Sequence, residues 1–141
     1  VRAFNHLLGE CGVSVFAGRE MVETYKRGFP GSLHEAPFLL PGPNTSLRHS
    51  MDGWFEAKGI EPKIMGEIED CALLKVFGQT GLGLFVMPTV EEEEVQRQYD
   101  VRLVGRLEDV RERFYAISTE RRVTNPPVRA ITEAAHKEIF E

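Results

Sequence analysis

Residues 81 to 88 read Gly-Leu-Gly-Leu-Phe-Val-Met-Pro, eight positions without one polar side chain, and this run constrains the fold more than any other feature. A strand with one face in water alternates apolar and polar residues. One that does not alternate must be covered on both faces, as in a sheet with helices on either side. Two further segments behave in the same way. Cys11 to Ala17 carries the β-formers Val13, Val15 and Phe16 behind the punctuating Gly9 and Gly12, and Pro37 to Pro41 encloses Phe38, Leu39 and Leu40 between prolines. Val101 to Val104 and Arg113 to Ile117 read as two more strands.

Helical patterns fall between these runs. A short amphipathic helix is expected from about Arg19 to Lys26. Leu47, Met51, Trp54 and Phe55 recur at i, i+4, i+7 and i+8, a core-facing stripe, with Arg48, Asp52 and Glu56 on another side and Lys58-Gly59 as the stop. Ile60 and Pro62 then begin an extended stretch through Met65. Asp70 is placed to cap a helix from Cys71 to Phe77, closed by Gly78, in which Lys75 is the one charge. A helix that apolar must be covered on more than one side, by its own domain or by another subunit. Glu91 to Glu94 reads as the solvated, acid-rich first turn of a further helix, and Asn125-Pro126 starts a last one lined by Val128, Ile131, Ala135 and Ile139. Strand and helix therefore alternate over 141 residues, which predicts a single α/β unit.

Charge narrows the partners. Seventeen Lys plus Arg against 22 Asp plus Glu give a net charge of -5, and no basic block could follow a phosphate backbone, so this chain itself is not expected to grip DNA. Without a run of about 18 apolar residues or a basic-then-apolar leader, the expectation is a soluble cytoplasmic protein with no membrane partner. The start at Val1-Arg2-Ala3-Phe4 suggests a piece of a longer polypeptide. Cys11 and Cys71 stand far apart and outside any CxxC pairing, which fits reduced thiols packed as small hydrophobes.

Catalytic patterns are scarce. There is no GxSxG, and Ser32 near His34 has no third partner in view. His6, His34, His49 and His136 show neither HExxH nor paired ligand spacing, so a structural zinc is not expected. The glycines between Gly78 and Gly83 lead into a strand instead of opening a helix, unlike a dinucleotide loop. No cofactor is expected, and the chain reads as non-enzymatic. What remains is Asn44-Thr45-Ser46 at the mouth of a helix, beyond the carboxyl end of the Pro37 to Pro41 strand. One oxygen suffices as N-cap, so three adjacent polar side chains beside free N–H donors make a candidate contact for an anion or polar ligand.

Along the same chain lie "Leu-Leu-Pro-Gly" before a polar helix start, "Ser-Leu-Arg" followed by "Trp-Phe", "Gly-Ile-Glu-Pro" into a strand, and "Gly-Leu-Gly-Leu-Phe-Val-Met-Pro". In these features and their order the sequence resembles the effector-binding domain of LysR-type transcriptional regulators. Segments 8–14, 66–78 and 104–110 are similar to the branch that activates a sodium/proton antiporter gene. The resemblance implies a periplasmic-binding-protein-like fold, mainly its second lobe, with a mixed, mostly parallel sheet flanked by helices. It places that lobe and its crossover strands at about 11–117, and a C-terminal helix returning to the first lobe at about 118–141. The DNA-binding domain would precede Val1.

The same resemblance implies a cleft facing Asn44, Thr45 and Ser46, where a small effector or sodium ion would act, and a homo-oligomer, dimer or tetramer, paired through Cys71, Leu74 and Lys75. Glu10, Glu67, Glu69 and Asp70 are the available sodium ligands, although a helix N-terminus favours anions and sodium prefers carboxylates and carbonyls. A solute-binding transport component and a small α/β enzyme are the rival readings.

Overall fold

The computed structural model describes residues 4–118, so the helix expected from Asn125 lies outside the described residues. The non-alternating runs form the centre of an α/β layer. In chain order the elements are β1 (Phe4–Gly18), α1 (Val22–Lys26), β2 (Pro37–Pro41), α2 (Ser46–Lys58), β3 (Lys63–Ile68), α3 (Cys71–Gln79), β4 (Phe85–Pro88), α4 (Glu92–Gln98) and β5 (Val101–Ser118). Short 3-10 turns at Gly31–Leu33 and Thr89–Glu91 precede β2 and α4.

β1 lies between β4 and β5 and is antiparallel to both, while β2 and β3 pair in parallel. The two sets join at a parallel bridge between Phe38 and Leu84, where Leu39 N–H donates to the Leu84 carbonyl and Leu84 N–H to the Pro37 carbonyl, each at 2.8 Å. The strand order is thus β3-β2-β4-β1-β5, and every strand but β1 runs in one direction. This is the mixed, mostly parallel sheet that the resemblance implies.

Double-sided burial explains the missing alternation. From β1, Val13, Val15 and Ala17 enter one core with Phe38, Leu40 and Val86, closed by Met51, Trp54 and Phe55 of α2. Phe16 points the other way, into a second core with Leu39, Phe85, Met87 and Leu74 of α3. Phe16 and Phe85 stack across β1 and β4 with ring centroids 5.5 Å apart. Alternate side chains along β1, β2 and β4 therefore feed opposite apolar layers.

Several boundaries differ from expectation for physical reasons. β1 begins at Phe4, well before Cys11, because pairing with β5 sustains residues whose sequence shows no strand pattern. Val101 to Val104 and Arg113 to Ile117 belong to a single strand, β5, whose register jumps from Val13↔Leu107 to Cys11↔Glu112. Residues 108–111 bulge from the ladder opposite Gly12, which hides the continuity from any periodicity count. α1 starts only at Val22 because Gly18 to Met21 form a turn.

Gly78 does not close α3, which runs on to Gln79. Its missing side chain lets the helix lie on Phe85, since a Cβ there would stand 2.3 Å from the ring. Gly78→Ala gains about 1 kcal/mol of helix propensity, yet overpacking of this kind costs about 1 to 3 kcal/mol. The variant should unfold at lower urea than the parent; an equal or higher midpoint would show that Phe85 yields freely.

Candidate functional site

The end of β2 and the start of α2 are built by Thr45 and Arg48. Thr45, in extended geometry (φ -88°, ψ 150°), is the N-cap. Its Oγ1 accepts from the Arg48 amide at 3.1 Å and donates to the Gly42 carbonyl at 2.9 Å. Both capacities of the hydroxyl are spent on the turn, so Thr45 shapes the mouth. Asn44 and Ser46 are exposed, with no side-chain partner among the described residues, and they flank first-turn amides that a helix leaves without intrahelical acceptors. The mouth is open to solvent at the carboxyl end of β2, where ligands gather in open α/β sheets.

Arg48 was expected on a side of α2 other than the core-facing stripe, yet it is 8% exposed. Its Nη1 donates to the Pro41 carbonyl (3.0 Å) and to Glu67 on β3 (2.9 Å), and its Nε donates to Asp52 (3.0 Å). Burial alone would lower its pKa. The hydrogen bonds to Asp52 and Glu67 outweigh that and raise it further. One guanidinium thus ties the last carbonyl of β2, the end of β3 and the second turn of α2 into one frame beneath the mouth.

A second polar frame sits across the sheet, where β1 pairs with β5. Ser14, fully buried, donates to Glu92 of α4 and shares a 3.0 Å hydrogen bond with Thr89. Glu92 also accepts two bonds from Arg106 of β5, both 2.8 Å. The Arg106 bonds, helped by Ser14 and opposed by partial burial, hold the Glu92 carboxyl below the usual carboxylate range. Glu91 pairs with Lys75 at 3.1 Å, so the acidic run is not uniformly solvated: Glu93 and Glu94 are exposed, while Glu91 and Glu92 anchor α4. Sequence reasoning missed Ser14, Glu92 and Arg106. The one signal for them was a lone serine inside the apolar run of β1.

Other expected groups are spread apart. Leu74 is 1% exposed and belongs to the core, so it faces no other subunit. Lys75 is committed to Glu91, whereas Cys71 is exposed. The outward side of α3 consists of Leu73 (49% exposed), Val76 and Phe77, and the edge strand β3 adds exposed Ile64 and Met65. Glu10 pairs with Arg111 and Arg113, Glu67 with Arg48, and Asp70 caps α3 through the Ala72 and Leu73 amides. Among the described residues no group of three or more His, Cys, Asp and Glu could hold a metal ion. Ser32 donates to the Tyr25 carbonyl and His34 Nδ1 accepts from the Glu61 amide, so each is tied to backbone elsewhere.

Comparison with known proteins decides the family. The LysR substrate binding domain matches residues 15–139. The chain belongs to that family. It is 34% identical over 137 residues to the transcriptional activator protein NhaR of Escherichia coli K12, and equally to that of Shigella flexneri, covering 97% of this chain and 44% of theirs. The chain therefore spans less than half the length of these relatives. Among solved structures, the CcmR regulatory domain of Synechocystis PCC6803 in complex with 2-PG superposes with a TM-score of 0.71 at 10% identity, over 99% of this chain and 68% of that one. Full-length CbnR complexed with its target DNA gives 0.68 at 17%, over 96% and 47%. The α/β architecture is thus that of a periplasmic-binding-protein-like LysR effector domain, a regulator family and not an enzyme family. Among the described residues no helix is long and apolar enough to cross a membrane.

Two outcomes check these frames. Arg48→Met leaves Glu67, Asp52 and the Pro41 carbonyl without their donor and should cost about 2 kcal/mol of unfolding free energy, the two carboxylates being half exposed; a chemical denaturation midpoint equal to the parent's would contradict it. For Glu92 the folded pKa is depressed, so its stabilisation is present above the unfolded pKa and is lost as pH falls through the folded value. Glu92→Gln should flatten the fall in thermal midpoint on acidification, and a slope identical to the parent's would contradict the assignment.

Proposed function

We propose that this chain is the effector-sensing domain of a LysR-type transcriptional activator, acting on a sodium/proton antiporter gene in response to sodium. The 34% identity to NhaR across 97% of the chain carries the activator reading. In this reading the described lobe, with its crossover strands and the C-terminal helix beyond them, is one half of a two-lobed sensor. DNA is contacted through a separate N-terminal domain, as befits a chain of net charge -5. The protein works in the cytoplasm, needs no cofactor and catalyses nothing.

The mouth at Asn44, Thr45 and Ser46 is one wall of the effector cleft, with Asn44 and Ser46 as contacts and Thr45 as the cap that positions them. Three of the four acids that sequence reasoning offered to sodium, Glu10, Glu67 and Asp70, are already paired or capping, Glu69 is exposed without a partner among the described residues, and helix amides favour anions. Sodium accordingly acts through ligands completed by the first lobe, or through an anionic effector that this mouth receives. Ligand binding shifts the balance between two arrangements of the lobes by its differential affinity for them.

Thermal midpoints of the full-length protein in sodium, lithium and potassium chloride at equal ionic strength test the reading. A sodium- or lithium-specific rise is expected, reduced by Asn44→Ala or Ser46→Ala; identical midpoints in all three salts would sink the sodium response.

Pairing of two effector domains is assigned to the outward face of α3, with Cys71 at its start and Leu73, Val76 and Phe77 along it. Lys75 stays on its Glu91 bridge and Leu74 supports the helix from beneath. Phe77→Asp should shift the full-length protein toward smaller species in sedimentation velocity, whereas a buried position such as Leu74 would report unfolding. An unchanged profile for both Leu73→Asp and Phe77→Asp would remove this face from the assembly.

A further inference from the structure

A cavity of about 340 Å³ opens where the crossover strands diverge, lined by Gly12, Thr89, Arg106, Leu107 and Arg111. It lies on the α4 face of the sheet, opposite α2: Ser14 and Arg106 point to this side, while Val13 and Leu107 send their side chains into the α2 core. The bulge of β5 creates it. Residues 108–111 leave the ladder opposite Gly12, with Val110 buried in the α2 core and Asp109 accepting from Trp54 Nε1 at 3.1 Å. The excursion leaves room above the Gly12 backbone.

Three polar atoms converge on the place a side chain at position 12 would fill. Thr89 Oγ1 lies 3.4 Å, the Leu107 carbonyl oxygen 3.6 Å and Arg111 Nη1 3.7 Å from a Cβ built there. All are ordinary contact distances and the φ of Gly12 is not positive, so neither backbone strain nor collision demands a glycine. Its effect is to keep the notch empty.

The polarity of the notch follows from its neighbours. Ser14 donates to the Glu92 carboxylate, so its bond with Thr89 must be one it accepts. The Thr89 hydroxyl proton is thereby used, and its oxygen faces the notch as an acceptor beside the Leu107 carbonyl. Arg111 supplies the opposing donor: its Nε lies 3.6 Å from one oxygen of Glu10, whose other oxygen takes Arg113 at 3.2 Å, and its Nη1 is turned to the notch. An occupant must therefore present an anionic acceptor to Arg111 and, a bond or two away, a donor to Thr89 and Leu107.

We propose that this notch is a second ligand site, separate from the α2 mouth, for a compact carboxylic acid carrying a hydroxyl or ammonium group on the adjacent carbon. Its carboxylate lies on Arg111 and its donor on Thr89 and Leu107. Bound there, it braces the bulge where β5 leaves its ladder with β1 and so stiffens the crossover strands.

Calorimetric titration of the full-length protein with L-malate, L-aspartate, succinate and malamide tests this. Malate or aspartate should bind about fivefold or more tightly than succinate, which lacks the donor, and malamide, which lacks the charge, should give no heat. The relative strength of malate and aspartate tells hydroxyl from ammonium. Gly12→Val, which fills the notch with a residue suited to a strand, should abolish binding, and Arg111→Gln on the exposed side should weaken it at least tenfold. Asn44→Ala and Ser46→Ala should leave it unchanged, so a failure of the α2 mouth reading would not touch this site. The proposal is overturned by absence of heat with all four compounds, by succinate or malamide binding as tightly as malate, or by affinity that survives Gly12→Val in protein with an unchanged thermal midpoint.

Discussion

Two backbone hydrogen bonds join the two sets of strands into one sheet. Where Gly83 and Leu84 meet Pro37, Phe38 and Leu39, a single parallel bridge joins a two-stranded unit to a three-stranded one. Only because those strands abut can Phe38 and Leu40 share a core with Val13 and Val86 on one face, and Leu39 with Phe16 and Phe85 on the other. An uncovered edge at this seam would expose apolar residues and take from the Leu39 and Leu84 amides the partners that buried peptide groups require. The helices follow, since α2 and α3 each cover one face of the joined sheet.

On that platform the polar groups are arranged in two frames, one per face. Arg48 gathers the ends of β2 and β3 under the start of α2, and Glu92 gathers β1, β5 and α4. Both frames have their charges paired and their hydrogen-bonding capacity largely spent, as buried polar networks must be if they are not to destabilise the fold. Asn44 and Ser46, by contrast, carry no internal duty. The interior polar groups are thus satisfied while the mouth keeps open valences above a rigid base. The β5 bulge docks on α2 through Asp109, which accepts from Trp54 and pairs with Lys58, while leaving the notch over Gly12 on the other side.

Much of this was legible in the residues. β2 was read to its exact bounds because prolines mark both ends, and the caps at Asp70 and Gly59 were read because the oxygen and the left-handed glycine they require are local needs. The polar mouth was also visible, although not which of its three residues serves as cap. Arg48, Glu92 and Leu74 were misplaced for a common reason. Helical periodicity orders residues around an axis, but it does not say that β3 will deliver Glu67 to one side, or that β5 will bring Arg106 against the acidic turn. Leu74 is the sharper case: on a helix apolar nearly all round, spacing cannot tell inward from outward, and only the position of Phe85 decides.

The amino-acid order by itself determined the alternation of strands and helices, the caps, and the double-sided burial of the sheet, because these depend on neighbours within one or two turns. Tertiary structure decided which apolar side of α3 remains exposed, which acids are already engaged, and that two strand patterns separated by a bulge are one strand. Those outcomes rest on contacts between residues as far apart as Glu10 and Arg113, whose pairing exists only once β1 and β5 have come together.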